Sequence, residues 1–76
     1  MTELDLIHIF GDNLVSLLKE QGMSQKELAY EADLSTSTIS KYINKQQMPT
    51  LRALINIAYV LEVEPTELIP FEYFID

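Results

Sequence analysis

The sequence predicts an all-α domain of five short helices, and three observations predict it. Apolar residues recur at three- and four-residue spacing along most of the chain. Hydroxyl-bearing residues stand directly before several of these runs. No run alternates with the period of two that a strand needs, except Phe71 to Ile75. A chain of 76 residues makes one domain at most, here residues 1–76.

Leu4, Ile7, Phe10, Leu14, Leu17 and Leu18 lay out one helix from Glu3 to Gln21, with Gly22 placed to end it and Gly11 weakening its middle. Ser24-Gln25-Lys26-Glu27 is a capping box: the Ser24 hydroxyl can accept from the Glu27 amide while the Glu27 carboxylate accepts from the Ser24 amide. A second helix, Gln25 to Ala32, follows. Asp33 then sits where the chain must turn sharply, and Ser35 is a suitable N-cap for a third helix ending near Asn44. After the polar stretch Lys45 to Met48, Pro49 and Thr50 open a fourth helix. Its Leu51, Leu54, Ile55, Ile57, Ala58 and Leu61 make it apolar over most of its circumference, so it reads as the central, most buried helix. Glu64-Pro65-Thr66-Glu67 starts a short fifth helix with Pro at its first position, and Pro70 stops it.

Composition narrows the function classes. An apolar fraction of 47% with 22% charged residues belongs to a folded chain, not to a disordered acidic tail. The absence of Cys removes the secreted disulfide scaffold and any thiolate metal site. No segment reaches the roughly 18 to 20 apolar residues of a membrane span. The start MTELDL carries acids where a signal peptide has bases, so a cytoplasmic protein without membrane contact is expected. His8 is the only His and neither Gly lies in a phosphate-cradling loop. No enzyme, metal site or cofactor is therefore expected, and Glu62 and Glu64 read as a solvated loop.

The net charge of −7 argues against nucleic acid, but the charge is unevenly distributed. Residues 1–33 hold Glu3, Asp5, Asp12, Glu20, Glu27, Glu31 and Asp33 against Lys19 and Lys26. Residues 62–76 hold Glu62, Glu64, Glu67, Glu72 and Asp76. Between them residues 34–61 carry no acid and three bases, Lys41, Lys45 and Arg52. On the third helix, Ile39, Tyr42 and Ile43 share one face, while Thr36, Ser37, Ser40, Lys41 and Asn44 share the other. Short hydroxyls allow close approach to base edges, and a Lys ammonium can donate to guanine O6 or N7.

The stretch SQKELAYEADLSTSTISKYINKQQMPTLRALINIAYVLEVEPTELI resembles the lambda-repressor and Cro-type helix-turn-helix family. The resemblance rests on Ser24-Gln25, Leu28-Ala29, Ile39, Pro49 and the spacing of Val63 and Leu68. It implies a compact five-helix DNA-binding domain with the helix-turn-helix over residues 24–44. It also implies base readout by Thr36, Ser37, Ser40 and Lys41. Phosphate contacts then fall on Gln25, Asn44, Lys45, Gln46 and Gln47, while Arg52 either reaches a phosphate or lies in solvent. Asp33 stands where the family turn usually has Gly. Leu18 and Ile43 stand where many relatives pair an Arg with a Glu, so an apolar contact is expected in place of an ion pair.

Two segments exceed the needs of a monomer. Leu6 and Ile9 lie off the main stripe of the first helix, and the apolar tail 70–76 carries Phe71, Tyr73, Phe74 and Ile75. These six residues are the expected surface of a two-fold dimer, with folding of the tail onto its own bundle as the alternative. The expected function is a phage- or mobile-element-type repressor binding a pseudo-palindromic double-stranded DNA operator as a homodimer. With no small-molecule ligand expected, control would come from dimerisation, protein level or a regulatory protein partner. The alternative is a helix-turn-helix fold used as a protein-interaction module, such as an antirepressor or antitoxin subunit.

Overall fold

The computed structural model describes residues 2–70, apart from the side chains of residues 3 and 4. The strand-compatible run, the apolar tail from residue 71 onward and the Leu4 side chain therefore lie outside the described residues. Four helices form: α1 (Glu3–Gln21), α2 (Gln25–Glu31), α3 (Thr36–Ile43) and α4 (Leu51–Leu61). No described helix is long and apolar enough to cross a membrane.

All four helices start in the same way. The first amides of a helix have no internal partner, and a short hydroxyl side chain can accept from one of them. Thr2, Ser24, Ser35 and Thr50 do this, accepting from the amides of Asp5, Glu27, Thr38 and Ala53. At α1 and α2 the box closes in return: the Thr2 amide donates to Asp5 at 3.1 Å, and the Ser24 amide donates to Glu27 at 3.1 Å.

All four also end in the same way. Gly22, Asp33, Lys45 and Glu62 take left-handed backbone angles, with φ of 65°, 57°, 60° and 57°. The amide of the following residue reaches back to the helix: Met23 to Leu18 O, Leu34 to Ala29 O, Gln46 to Lys41 O and Val63 to Ala58 O, at 2.8–3.0 Å. Met23, Leu34 and Val63 then pack onto the core, so each of these three stops is locked by an apolar side chain as well as by a hydrogen bond.

The expected fifth helix is corrected to one 3₁₀ turn, Pro65–Glu67. Pro70 disfavours α geometry at Ile69. The segment thus closes with bonds from Leu68 and Ile69 to Pro65 O, both 3.0 Å, and goes no further. It still seals the bundle. Leu68 and Ile69 are buried, and the Asn13 amide donates to Leu68 O at 2.8 Å, tying α1 to this turn.

The core joins Phe10, Leu14 and Leu18 of α1, Leu28 and Ala29 of α2, Ile39 and Tyr42 of α3, and Leu54, Ile57, Ala58 and Leu61 of α4. Phe10 meets Tyr42 edge to face, with ring centroids 5.3 Å apart at 73°. Such a pair adds about 1 kcal/mol beyond its buried area. Gly11 does not act as a weak point. A Cβ built there would lie 2.8 Å from Tyr42 O and 3.2 Å from Lys45 Cγ, so the missing side chain is what lets α1 cross the end of α3. α4, expected to be apolar over most of its circumference, uses only part of that apolar surface in the core. Its inner face is packed, yet Leu51, Ile55 and Tyr59 are exposed, because among the described residues the three other helices and the 3₁₀ turn cover only one side of it.

Two stability changes follow from these geometries. Gly11→Ala gains about 1 kcal/mol of helix propensity but meets a backbone oxygen that cannot rotate away, so a net loss of about 1–3 kcal/mol is expected in urea unfolding. Glu62→Gly relieves a left-handed Glu, and the unfolding midpoint should rise by the equivalent of about 0.5–1 kcal/mol.

Candidate nucleic-acid interface

The short link between α2 and α3 fixes their crossing. Ala29 is buried at the junction, where its small side chain allows close approach, and Ile39 fills the angle between the helices. The left-handed Asp33 turns the chain, as its tolerance of that region allows. Asn56 of α4 donates to Ala32 O at 3.3 Å, which holds the turn against the bundle.

This frame leaves one face of α3 in solvent. Thr36, Ser37, Lys41 and Asn44 are exposed and Ser40 is half-buried, while Ile39 and Tyr42 are turned inward; burial pushes the Tyr42 phenol pKa up. Part of the outer face is internally bonded. The Ser35 and Thr38 hydroxyls lie 2.7 Å apart, and the Asn44 amide donates to the Ser40 hydroxyl at 3.3 Å. Among the described residues no side-chain hydrogen bond occupies Thr36, Ser37 or Lys41. Gln25 is exposed at the first position of α2, and Gln46 and Gln47 are exposed beyond α3. Arg52 is exposed in the first turn of α4, above a shallow depression that it lines together with Asp33 and Asn56.

Lys45 stands apart from the other candidate phosphate contacts. Its ammonium lies 2.8 Å from the Asp12 carboxylate and its side chain is only 29% exposed. The Lys45 hydrogen bond holds the Asp12 carboxyl below the usual carboxylate range, with the Lys45 charge acting in the same direction. Leu18 and Ile43 line one apolar groove together with Val15 and Met23, in place of a charged pair. Of the expected dimer residues, Leu6 is half-buried against the core and Ile9 is half-buried. Phe71, Tyr73, Phe74 and Ile75 lie outside the described residues. Among the described residues no group of three His, Cys, Asp or Glu could hold a metal ion.

The sequence reading missed two features. One is the Asp12–Lys45 pair, which links residues 33 positions apart and leaves no local signal. The other is the exposed stripe Leu51, Ile55 and Tyr59, on a helix whose apolar residues extend over most of its circumference and so do not show which face is left in solvent.

Comparisons with known proteins agree with this geometry. The helix-turn-helix (HTH_3) family profile matches residues 14–68. The crystal structure of the restriction-modification controller protein C.AhdI from Aeromonas hydrophila is similar with a TM-score of 0.79 and 32% identity, over 86% of this chain and 97% of that one. An HTH_3 family transcriptional regulator from Vibrio cholerae has the same fold, with a TM-score of 0.84 and 22% identity over 88% of this chain. The chain spans 38% of that regulator's length. No curated protein sequence gives a significant match.

Asp5, Asp12 and Glu27 all have lowered pKa values: the first from the Thr2 backbone hydrogen bond, the second from Lys45, the third from the Ser24 backbone hydrogen bond. A carboxylate depressed in the folded state stabilises fully above its unfolded pKa, and that contribution is lost as pH falls through the folded value. Stability should hold down to about pH 5 and then decline through about pH 4. In urea unfolding across this range, Asp12→Asn should give a shallower acid decline than the parent chain.

Proposed function

The chain belongs to the helix-turn-helix family, and on that premise we propose that it is a DNA-binding transcriptional regulator. We read it as a repressor of phage or mobile-element type that occupies a pseudo-palindromic operator as a dimer. One observation carries this reading. In a chain of net charge −7, the outward face of α3 presents Thr36, Ser37, Ser40, Lys41 and Asn44 without a single carboxylate, on a helix whose other face is locked into the core. The similarity to a restriction-modification controller protein supports gene control over catalysis.

The geometry suggests how readout would work. With α3 in the major groove, the Lys41 ammonium donates to guanine O6 or N7, and the Thr36 and Ser37 hydroxyls donate or accept at neighbouring base edges. Ser40 contributes with Asn44 already bonded to it. Gln25, Asn44, Gln46 and Gln47 meet phosphates as neutral donors, and Arg52 supplies a cation at the start of α4. Two copies would set their α3 helices about 34 Å apart, one turn of DNA.

This interface has few free cations, because Lys45 is committed to Asp12. Each neutralised phosphate contributes about −0.9 to the slope of log affinity against log salt. With Lys41 and Arg52 as the cations of each protomer, a dimer should show a slope no steeper than about −4. The net charge of −7 also favours a second reading, a protein-interaction module that selects no DNA.

The test is Lys41→Ala on a selected duplex. Affinity should fall by about 1–3 kcal/mol and preference should relax at one base pair per half-site, measured by titration against single-base variants of the duplex. Unchanged affinity and preference would remove the proposed readout.

A further inference from the structure

Lys45 is held from three sides. Its backbone takes the left-handed turn that ends α3, with φ of 60°, and the back-bond from Gln46 to Lys41 O at 2.8 Å fixes that turn. Its stem runs over the bare backbone of Gly11, where an added Cβ would lie 3.2 Å from Lys45 Cγ. Its ammonium ends 2.8 Å from the carboxylate of Asp12. Two adjacent residues of α1 thus clear a path for the stem and take the charge at its end. Among the described residues Lys45 is the one base of the segment 34–61 with a carboxylate within 4 Å; Lys41 and Arg52 have none.

The position of this pair matters more than its strength. Asp12 is 69% exposed, and an exposed ion pair adds little to stability. Lys45 lies between the exposed Asn44 and the exposed Gln46 and Gln47, along the edge of α3 that the operator reading sets against phosphates. A flexible, strongly hydrated ammonium at that edge is suited to meet a phosphate of any sequence. Two costs keep it from doing so. The half-buried stem would have to leave its seat on Gly11. The move would also leave the Asp12 carboxylate unpaired beside a row of phosphates, and that repulsion offsets the new contact. Kept together, the carboxylate and the ammonium present no net charge to the duplex. This end of α3 then adds nothing to the attraction that all sequences share.

We propose that Asp12 is a positioning residue of the DNA interface: it holds Lys45 on α1 and away from the phosphates, so that general attraction to duplex stays weak and binding depends on the base contacts of α3. The inference rests on the DNA-binding reading and adds to it a residue outside the helix-turn-helix.

Salt titrations on a selected duplex and on a random-sequence duplex test it, with circular dichroism to verify folding. Asp12→Asn keeps the shape of the side chain and releases Lys45. One more phosphate contact per protomer adds about −0.9 to the slope of log affinity against log salt, so the slope of a dimer should steepen by about 2. At about 0.1 M salt each added contact should tighten binding to both duplexes about 5- to 10-fold. Asp12→Ala, with a stronger helix former, is a second release variant and should give the same slope. Asp12→Glu retains a carboxylate and should keep the parent slope. Asp12→Asn combined with Lys45→Gln removes both charges and keeps the parent's net charge, so slope and affinity should return to the parent values. Release variants with the parent's slope would overturn the proposal. So would a double variant that differs from the parent: a shallower slope means that Lys45 already meets a phosphate, and a steeper one means that the carboxylate acts without it. Either result on a duplex that the parent selects leaves the operator reading intact. If no chain binds duplex even at low salt, that reading falls and this proposal falls with it.

Discussion

The backbone of α1 passes the end of α3 with no room for a side chain at Gly11, and the placement of α3 depends on that contact. Four consecutive residues of α1 act there in four different ways. Phe10 meets the Tyr42 ring, Gly11 clears the Tyr42 carbonyl, Asp12 pairs with Lys45, and Asn13 holds the Leu68 carbonyl. A helix of eight residues such as α3 has almost no stability alone, since nucleation costs more than so few hydrogen bonds return. Its position is therefore set by packing: Ile39 and Tyr42 are buried on one face, and the opposite face is presented as a consequence.

That division explains how an acidic chain can carry a surface suited to DNA. Many acids are exposed, and several are committed locally. Asp5, Glu27 and Glu67 accept from backbone amides at the starts of helices, where negative charge is favoured, and Asp12 neutralises Lys45. The segment from Leu34 to Leu61 has no carboxylate to repel a phosphate, and Asp33 and Glu62 stand just outside its two ends. Such a surface suits specific contacts more than general attraction, because hydroxyls and amides read position and distance while adding nothing to the long-range field.

Much of this was legible in the sequence. The Ser24–Glu27 box, the Gly22 stop, the left-handed turn at Asp33, and the inward Ile39 against outward Thr36, Ser37 and Lys41 follow from local rules that the structure obeys. Helix stops at Lys45 and Glu62 were harder to see, because neither residue favours left-handed angles and it is contacts distant from the local pattern, the Asp12–Lys45 pair and the packing of Val63 on the core, that join the back-bonds of Gln46 and Val63 in holding them there. The fifth helix was over-read: Pro at its first position is a real start signal, but Pro70 leaves too few residues to propagate it. Gly11 looked like a weakness within its own helix, and its purpose became visible only when α3 was placed beside it. The α4 stripe was hidden by an average. Both faces of that helix are apolar, and composition cannot tell which one the core has used.

The central claim is that the outward face of α3 reads DNA sequence from a two-fold protein. Selection of bound duplexes from a random-sequence pool at moderate salt, with the folded full chain, tests it most directly. The account predicts enrichment of one symmetric site whose half-site centres lie about one helical turn apart. A folded chain that enriches no sequence would contradict it, and would point to a protein partner for this surface.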